Sequence, residues 1–171
     1  MKNADTLKII ARGDREIVMT RQFDAPRRLV FEAFTKPELL KRWLLGPPGW
    51  SMVVCELDLR VGGTYRYVWR REKDGTDMGM GGEYRQIVPP ERIVSTERFD
   101  ESWYPGEAVG TLVLVEQGGK TTLTQTMMYE SRDARDGVLK SPMKDGVGAS
   151  YDRLEELLGA SVPRAVQGSA S

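Results

Sequence analysis

Few side chains in this chain could carry out nucleophilic or acid–base chemistry, because its 171 residues include no histidine and one cysteine, Cys55. Serine–histidine and cysteine–histidine nucleophile pairs are therefore excluded. A single thiol without any imidazole also excludes a thiolate or histidine zinc site, so we predict no metal and no cofactor. Cys55 lies in an apolar strand pattern at residues 52–59, which predicts a buried, inert thiol.

The remaining acid–base candidates are carboxylates and phenols on predicted strands: Glu83, Glu97, Tyr67 and Tyr84. A carboxylate that faced an apolar pocket would have a raised pKa. The alternative is a solvated or salt-paired side chain on the outer face of the sheet. Since the sequence does not fix which face each residue occupies, we predict no catalytic residue.

A larger group of aromatic and methionine side chains is suited to binding. Methionine adapts to irregular shapes, and tyrosine and tryptophan add a polar group to an apolar body. These residues fall on elements predicted to face the interior, where they either fill the core or line a cavity. We predict a ligand-binding cavity lined by Trp43, Tyr65, Tyr67, Trp69, Met78, Met80, Tyr84, Trp103, Met127, Met143, Val147 and Tyr151.

The elements that would position these side chains begin with a strand at residues 15–23, where Ile17, Met19 and Phe23 share one face. A helix then opens around Pro26, since proline costs little in a first helical turn. A second short helix opens at Pro37, and we predict Thr35 as its cap.

The middle of the chain reads as an antiparallel meander, because apolar alternation is punctuated by turn residues such as Asp74-Gly75 and Gly118-Gly119. In the clearest strand, Tyr65, Tyr67 and Trp69 alternate with more polar residues. The predicted strands are residues 51–59, 63–72, 78–88, 91–99, 108–116 and 120–129.

The end of the chain predicts a long helix over residues 132–158, interrupted by Pro142 with a kink or break near residues 140–143. We expect a single domain at residues 15–158. Residues 1–14 would form an extension or short strand, and residues 159–171 a tail without periodicity.

The composition is that of an ordinary globular protein, with 40% apolar residues and 25 basic residues balancing 25 acidic ones. No basic surface for nucleic acid is indicated, and no apolar stretch is long enough for a membrane span. The first residues lack the apolar core of a signal peptide. We therefore expect a cytoplasmic protein, either a monomer or a homodimer.

Five segments in series resemble a known family. They are residues 23–31, Trp43 within Lys-Arg-Trp, residues 58–63, residues 89–94 and residues 151–156. Over residues 15–158 the chain resembles the bacterial relatives of the C-terminal domain of the activator of Hsp90 ATPase. This family belongs to the helix-grip superfamily of START domains and the birch-pollen allergen (SRPBCC, Bet v 1-like).

The resemblance implies an α+β fold in which a curved antiparallel sheet of six or seven strands wraps around a long C-terminal helix. Two short helices would follow the first strand, and a hydrophobic cavity would lie between sheet and helix. The leading hypothesis is binding of a small apolar or amphipathic molecule. One alternative is an enzyme like the polyketide cyclases of the superfamily. The other is a co-chaperone or stress-response interaction module that contacts an Hsp90-type chaperone.

Overall fold

The structure is a computed structural model that describes residues 3–101 and 106–161 of the chain. Within these residues it contains an eight-stranded antiparallel sheet, four α-helices and a short 3-10 helix at Ala4–Thr6. In chain order the elements are β1 (Lys8–Arg12), β2 (Glu16–Phe23), α1 (Arg27–Thr35), α2 (Pro37–Trp43), β3 (Trp50–Leu57), β4 (Thr64–Arg71), β5 (Asp77–Val88), β6 (Arg92–Phe99), β7 (Ala108–Gln117), β8 (Lys120–Met128), α3 (Arg132–Lys140) and α4 (Met143–Ser161).

The strand order is β1-β2-β8-β7-β6-β5-β4-β3. Strands β3 to β8 form a meander, and β2 pairs with β8, so consecutive strands β2 and β3 lie far apart in the sheet. Helices α1 and α2 make this crossing and pack against α4 on the same face. Two β-bulges, in β3 and between β5 and β6, bend the sheet around the helices.

The predicted α+β helix-grip fold is confirmed. The sheet has eight strands in place of the predicted six or seven, because Lys8–Arg12 pairs with β2 as an additional edge strand. Alternation along the strands sends one set of side chains into a core shared with the helices. The main cluster lies under α1, α2 and α4 and includes Phe23, Trp43 and Leu154, while a smaller one around Ile17 lies under α3.

Both short helices start at prolines, as predicted, with Pro26 as the cap of α1 and Pro37 in the first turn of α2. The predicted cap at Thr35 is wrong, because Lys36 occupies the capping position. Thr35 still belongs to α1, where its hydroxyl donates a hydrogen bond to the carbonyl of Phe31 at 2.9 Å.

The predicted break in the C-terminal helix is confirmed at Pro142, which separates α3 from α4. Ser131 caps α3 by accepting a hydrogen bond from the Ala134 amide at 3.0 Å. Helix α4 continues to Ser161, so its last residues overlap the segment predicted as a tail. Residues 162–171 of that segment lie outside the described part of the chain.

Candidate functional site

A small pocket lies on the helix-covered face of the sheet, where strands β4 to β8 pass beneath the end of α1. Its volume is about 70 Å³ and it is partly open to solvent. A water-filled cavity needs only ~10–15 Å³ by this measure, whereas pockets for drug-sized ligands usually exceed ~300 Å³. The pocket therefore has room for a few water molecules or a very small ligand. We call it the tyrosine pocket; it is lined by Phe34, Tyr65, Tyr67, Tyr84, Ile93, Ser95, Gly110, Leu112 and Gln125.

Three tyrosines from two adjacent strands form one wall of the tyrosine pocket. The ring centroids of Tyr65 and Tyr67 lie 5.0 Å apart, and those of Tyr65 and Tyr84 lie 5.4 Å apart. The Tyr65 hydroxyl donates a hydrogen bond to the carbonyl of Thr96 at 2.5 Å. The hydroxyls of Tyr67 and Tyr84 interact with each other.

Burial raises the pKa of all three phenols well above the ordinary value for tyrosine. For Tyr65, the negative charge of Glu97 raises the pKa further. The three side chains are therefore protonated at neutral pH and cannot act as bases there. They can donate and accept hydrogen bonds beside a largely apolar surface.

The other polar groups come from neighbouring strands: Ser95 on β6 is the cross-strand partner of Tyr84 and interacts with the Tyr65 hydroxyl, and Gln125 lies on β8. The Gln125 Nε2 atom donates a weak hydrogen bond to the Met127 sulfur at 3.3 Å. Gly110 on β7 leaves space for this amide, since a Cβ atom there would lie 2.8 Å from Nε2 of Gln125.

Of the residues predicted to line a cavity, Tyr65, Tyr67 and Tyr84 meet in the tyrosine pocket. The other predicted residues that the structure describes lie outside the pocket lining. Trp43 is fully buried between Phe34 and Tyr151, and its Nε1 donates to the Ala33 carbonyl at 2.9 Å. Trp69, Met80 and Met127 are also buried, and Met143 and Val147 are half-buried, but none of these five residues lines the pocket.

The two remaining predicted residues are Met78 and Trp103. Met78 is 40% exposed near the start of β5. Trp103 lies outside the described residues. Conversely, the sequence reasoning missed six lining residues, and strand alternation could have found several of them. Ser95 shares its face of β6 with the buried Ile93, for example, and Gln125 shares its face of β8 with Leu123 and Met127.

The two carboxylates considered as acid–base groups have different surroundings. Glu83 is exposed, whereas Glu97 is half-buried on the same strand face as Ile93 and Ser95. The charge of Glu97 raises the pKa of both Tyr65 and Tyr129, which places it near both phenols. Glu97 does not line the tyrosine pocket itself.

The sequence reasoning also missed a buried cation, Arg21, whose side chain is 1% exposed between β2 and α4. Its Nη1 lies 3.1 Å from Asp152 Oδ1, and its Nη2 lies 3.5 Å from Glu155 Oε1. Its guanidinium also lies 5.0 Å from the centroid of the Phe23 ring. Arg21 has the same strand parity as Ile17, Met19 and Phe23, so the alternation that placed those residues inside also places Arg21 there.

Arg135 on α3 is a second buried cation. Its Nη1 donates hydrogen bonds to the carbonyls of Glu16 and Gly13 at 2.9 and 3.2 Å. These bonds fasten α3 to the β1–β2 hairpin, so the role of Arg135 is structural.

Cys55 is 8% exposed in β3, and burial raises its thiol pKa to about 11. At neutral pH it is a protonated, poorly nucleophilic thiol. In the described part of the chain, no three Cys, Asp or Glu side chains are grouped as metal ligands would be. None of the helices in that part is long and apolar enough to span a membrane.

Comparison with known proteins shows to which family this chain is related. Residues 24–159 match the family described as activator of Hsp90 ATPase homolog 1-like protein. None of the curated protein sequences is significantly similar to this chain.

Solved structures resemble it over nearly their whole length. A protein from Rhodobacter sphaeroides is 31% identical, with a TM-score of 0.85 over 91% of this chain and 99% of that one. A protein from Arthrobacter aurescens is 22% identical, with a TM-score of 0.80 over 91% and 92% of the two chains. An Hsp90 activator from Plasmodium falciparum is 22% identical, with a TM-score of 0.61 over 85% and 96%, a likeness of fold. The chain belongs to the family of activator of Hsp90 ATPase homolog 1-like proteins.

Proposed function

We propose that this protein binds a small amphipathic molecule in the tyrosine pocket. The observation that carries the proposal is the pocket itself, where three phenols, Ser95 and Gln125 surround space on the concave side of the sheet. Pockets with an apolar surface and a few placed polar groups are the usual form of a small-molecule site. The polar groups would orient one end of the ligand, and Phe34, Ile93 and Leu112 would cover the rest.

The pocket volume limits the size of the ligand. About 70 Å³ admits a molecule of a few heavy atoms without rearrangement. A larger ligand would have to displace a lining side chain, and Phe34 is the one that does not belong to the sheet. It lies at the end of α1, is half-buried, and its ring contacts Trp43 with centroids 4.8 Å apart. Binding of larger molecules would therefore require movement of α1.

The first experiment is native mass spectrometry of freshly purified protein, followed by organic extraction of any bound molecule. The second is a titration of ¹⁵N-labelled protein with 1-butanol, followed by NMR. We expect saturable shifts confined to the strands around Ser95, Gly110 and Gln125.

Two variants of one strand make the test specific. Ser95→Phe places a ring in the pocket and should abolish the 1-butanol shifts. Val94→Phe, at the preceding position on the opposite face of β6, is the matched control and should leave them unchanged. No saturable shift in the wild type, together with no co-purified molecule, would overturn the proposal. Equal binding by Ser95→Phe would show that any ligand lies elsewhere.

A second candidate function is contact with an Hsp90-type chaperone, favoured by the family and by the fold shared with the Plasmodium Hsp90 activator. The turn between β3 and β4 exposes two apolar side chains, with Leu59 at 40% and Val61 at 62%. We propose this turn as the contact. Leu59→Ser/Val61→Ser should weaken binding to Hsp90 from the same organism in calorimetry, while Ile10→Ser, at a 56% exposed site on β1, should not. Absence of heat with the wild type would refute this second candidate.

A further inference from the structure

The described side chains that line the tyrosine pocket include three phenols, one hydroxyl and one amide, but no acid or base that is charged at neutral pH. The alternation of β4 explains the absence of cations: Arg66, between Tyr65 and Tyr67, points to the other face of the sheet. There it forms two hydrogen bonds with Asp100.

The next strand repeats this arrangement. Arg85 follows Tyr84 and lies on the exposed side, where its Nη2 is 3.4 Å from Glu107 Oε1. The buried Arg21 lies opposite Leu123 on the neighbouring strands β2 and β8, and its charge is already paired with Asp152 and Glu155 on α4. In the described residues around the pocket, no guanidinium is therefore placed to balance a ligand anion.

The charges that act on Tyr65 are negative, those of Glu97 and Glu107. Glu97 lies close enough to Tyr65 for its carboxylate to disfavour the phenolate, and the same field would disfavour a bound carboxylate or phosphate. The same field would favour a bound ammonium ion by a similar amount, but Glu97 does not line the pocket, so it cannot replace the hydration that the ion would lose. A buried ion without a contacting partner is strongly disfavoured over a neutral group of the same size.

Gln125 offers what a neutral polar group needs. Its amide can donate through nitrogen and accept through oxygen. Its present partner, the Met127 sulfur at 3.3 Å, is a weak acceptor. A ligand hydroxyl or carbonyl would be a better partner, and exchanging the sulfur for it costs little.

We infer that the tyrosine pocket selects uncharged molecules with a hydroxyl, carbonyl or amide group, excludes carboxylates and ammonium ions, and uses Gln125 as its specificity-determining residue. The inference rests on the proposed function of the pocket and adds the chemical class of the ligand. It also distinguishes this pocket from a site for the anionic form of a fatty acid.

The test is an NMR titration with four molecules of one chain length: 1-butanol, butanamide, butanoate and butylammonium at pH 7. We expect the first two to bind, and the two ions to bind at least ~10-fold more weakly because their charge is left unpaired. Gln125→Leu, close to the same size, should weaken butanamide more than 1-butanol, while the surface variant Gln22→Leu should leave both unchanged.

The outcomes separate this inference from the proposed function. Binding of all four molecules with similar affinity would leave the pocket as a ligand site and overturn its selectivity. Tighter binding of butanoate or butylammonium would do the same. Binding of none of the four would refute the inference and count against the proposed function. Unchanged relative affinities in a folded Gln125→Leu variant would overturn the role of Gln125.

Discussion

The replacement of Arg21 by methionine tests whether α4 is fastened to the sheet by a buried charge. The Arg21 side chain is 1% exposed, Glu155 is 14% exposed and Asp152 is 42% exposed. In the variant, Glu155 would be left largely buried without its cation, while methionine would fill much of the space of the arginine stem.

The magnitude follows from these exposures. Removal of one partner from a buried ion pair costs roughly 3–5 kcal/mol, and an exposed pair contributes about 0.2–1 kcal/mol. We assign the larger cost to the loss of the contact with Glu155, which is largely buried, and the smaller cost to the loss of the contact with Asp152, which is more exposed. With partial relief from the methionine packing, we expect Arg21→Met to lower the free energy of unfolding by ~3–4 kcal/mol.

The assay is urea unfolding followed by tryptophan fluorescence, for which the fully buried Trp43 is a suitable reporter. Arg66→Met is the matched control, because Arg66 on β4 also pairs with a carboxylate, that of Asp100, but its side chain is 42% exposed. We expect it to cost less than about 1 kcal/mol. Equal losses in the two variants would refute the assignment of Arg21 as a buried clamp.

A double variant separates charge from packing. In Arg21→Met/Glu155→Met both charges are absent, and apolar replacements of a buried pair are often neutral or stabilising. The double variant should therefore be more stable than Arg21→Met alone. If the losses of the single variants simply added, the two side chains would not be coupled and the argument from the buried pair would fail.

The remaining predictions concern glycine, cysteine and tyrosine positions. Gly82→Ala should destabilise the protein strongly, because its Cβ atom would clash with the Thr96 carbonyl oxygen, whereas Gly137→Ala, with open space around it in α3, should raise the free energy of unfolding by about 0.5–1 kcal/mol. Urea unfolding measures both changes, and similar effects would contradict the close approach at Gly82. Cys55 should react with iodoacetamide slowly at pH 8 and faster only towards its pKa of about 11, and rapid labelling of native protein at pH 8 would refute its burial. In the folded protein Tyr65, Tyr67 and Tyr84 keep their protons above about pH 10, where the same phenols of the unfolded chain release theirs. The free energy of unfolding should therefore fall as the pH rises beyond that value, and it should fall less in Tyr84→Phe. A constant free energy of unfolding from pH 8 to 11 would contradict this.

Periodicity and turn chemistry were sufficient to predict most of the fold from the sequence. Each predicted strand of the meander overlaps an observed one, because apolar alternation and glycine turns are local signals. The break at Pro142 followed from a missing amide donor, which is also local. The Thr35 cap failed because α1 extends through Thr35 and leaves Lys36 in the capping position of α2. The residue types in Thr35-Lys36-Pro37 do not by themselves fix where the first helix ends.

The pocket could be predicted only in part, since its lining comes from six elements with independent registers. Tyr65 and Tyr67 were identified because they alternate on one strand. Ser95 and Gln125 carry no aromatic signal, and their place in the pocket depends on which face of β6 and β8 lies inward. Arg21 was overlooked for a different reason: its parity indicated burial, but a charged residue is seldom fully buried without partners, and the partners lie on α4, more than a hundred residues away.

The same tyrosines both define the pocket and limit its size. Tyr65 is held by its bond to the Thr96 carbonyl, and Tyr67 and Tyr84 hold one another, so this wall is fixed by hydrogen bonds that a ligand would have to replace. Gln125 and Phe34 are fixed less firmly, because within the described residues the Gln125 amide bonds the Met127 sulfur alone and Phe34 is held by ring contact. Adaptation to a ligand should therefore occur at Gln125 and Phe34 before it occurs at the tyrosines. A molecule that enters this pocket would therefore lie beside the fixed tyrosine hydroxyls and beside the movable Gln125 amide and Phe34 ring, which suits a compact ligand with one polar end.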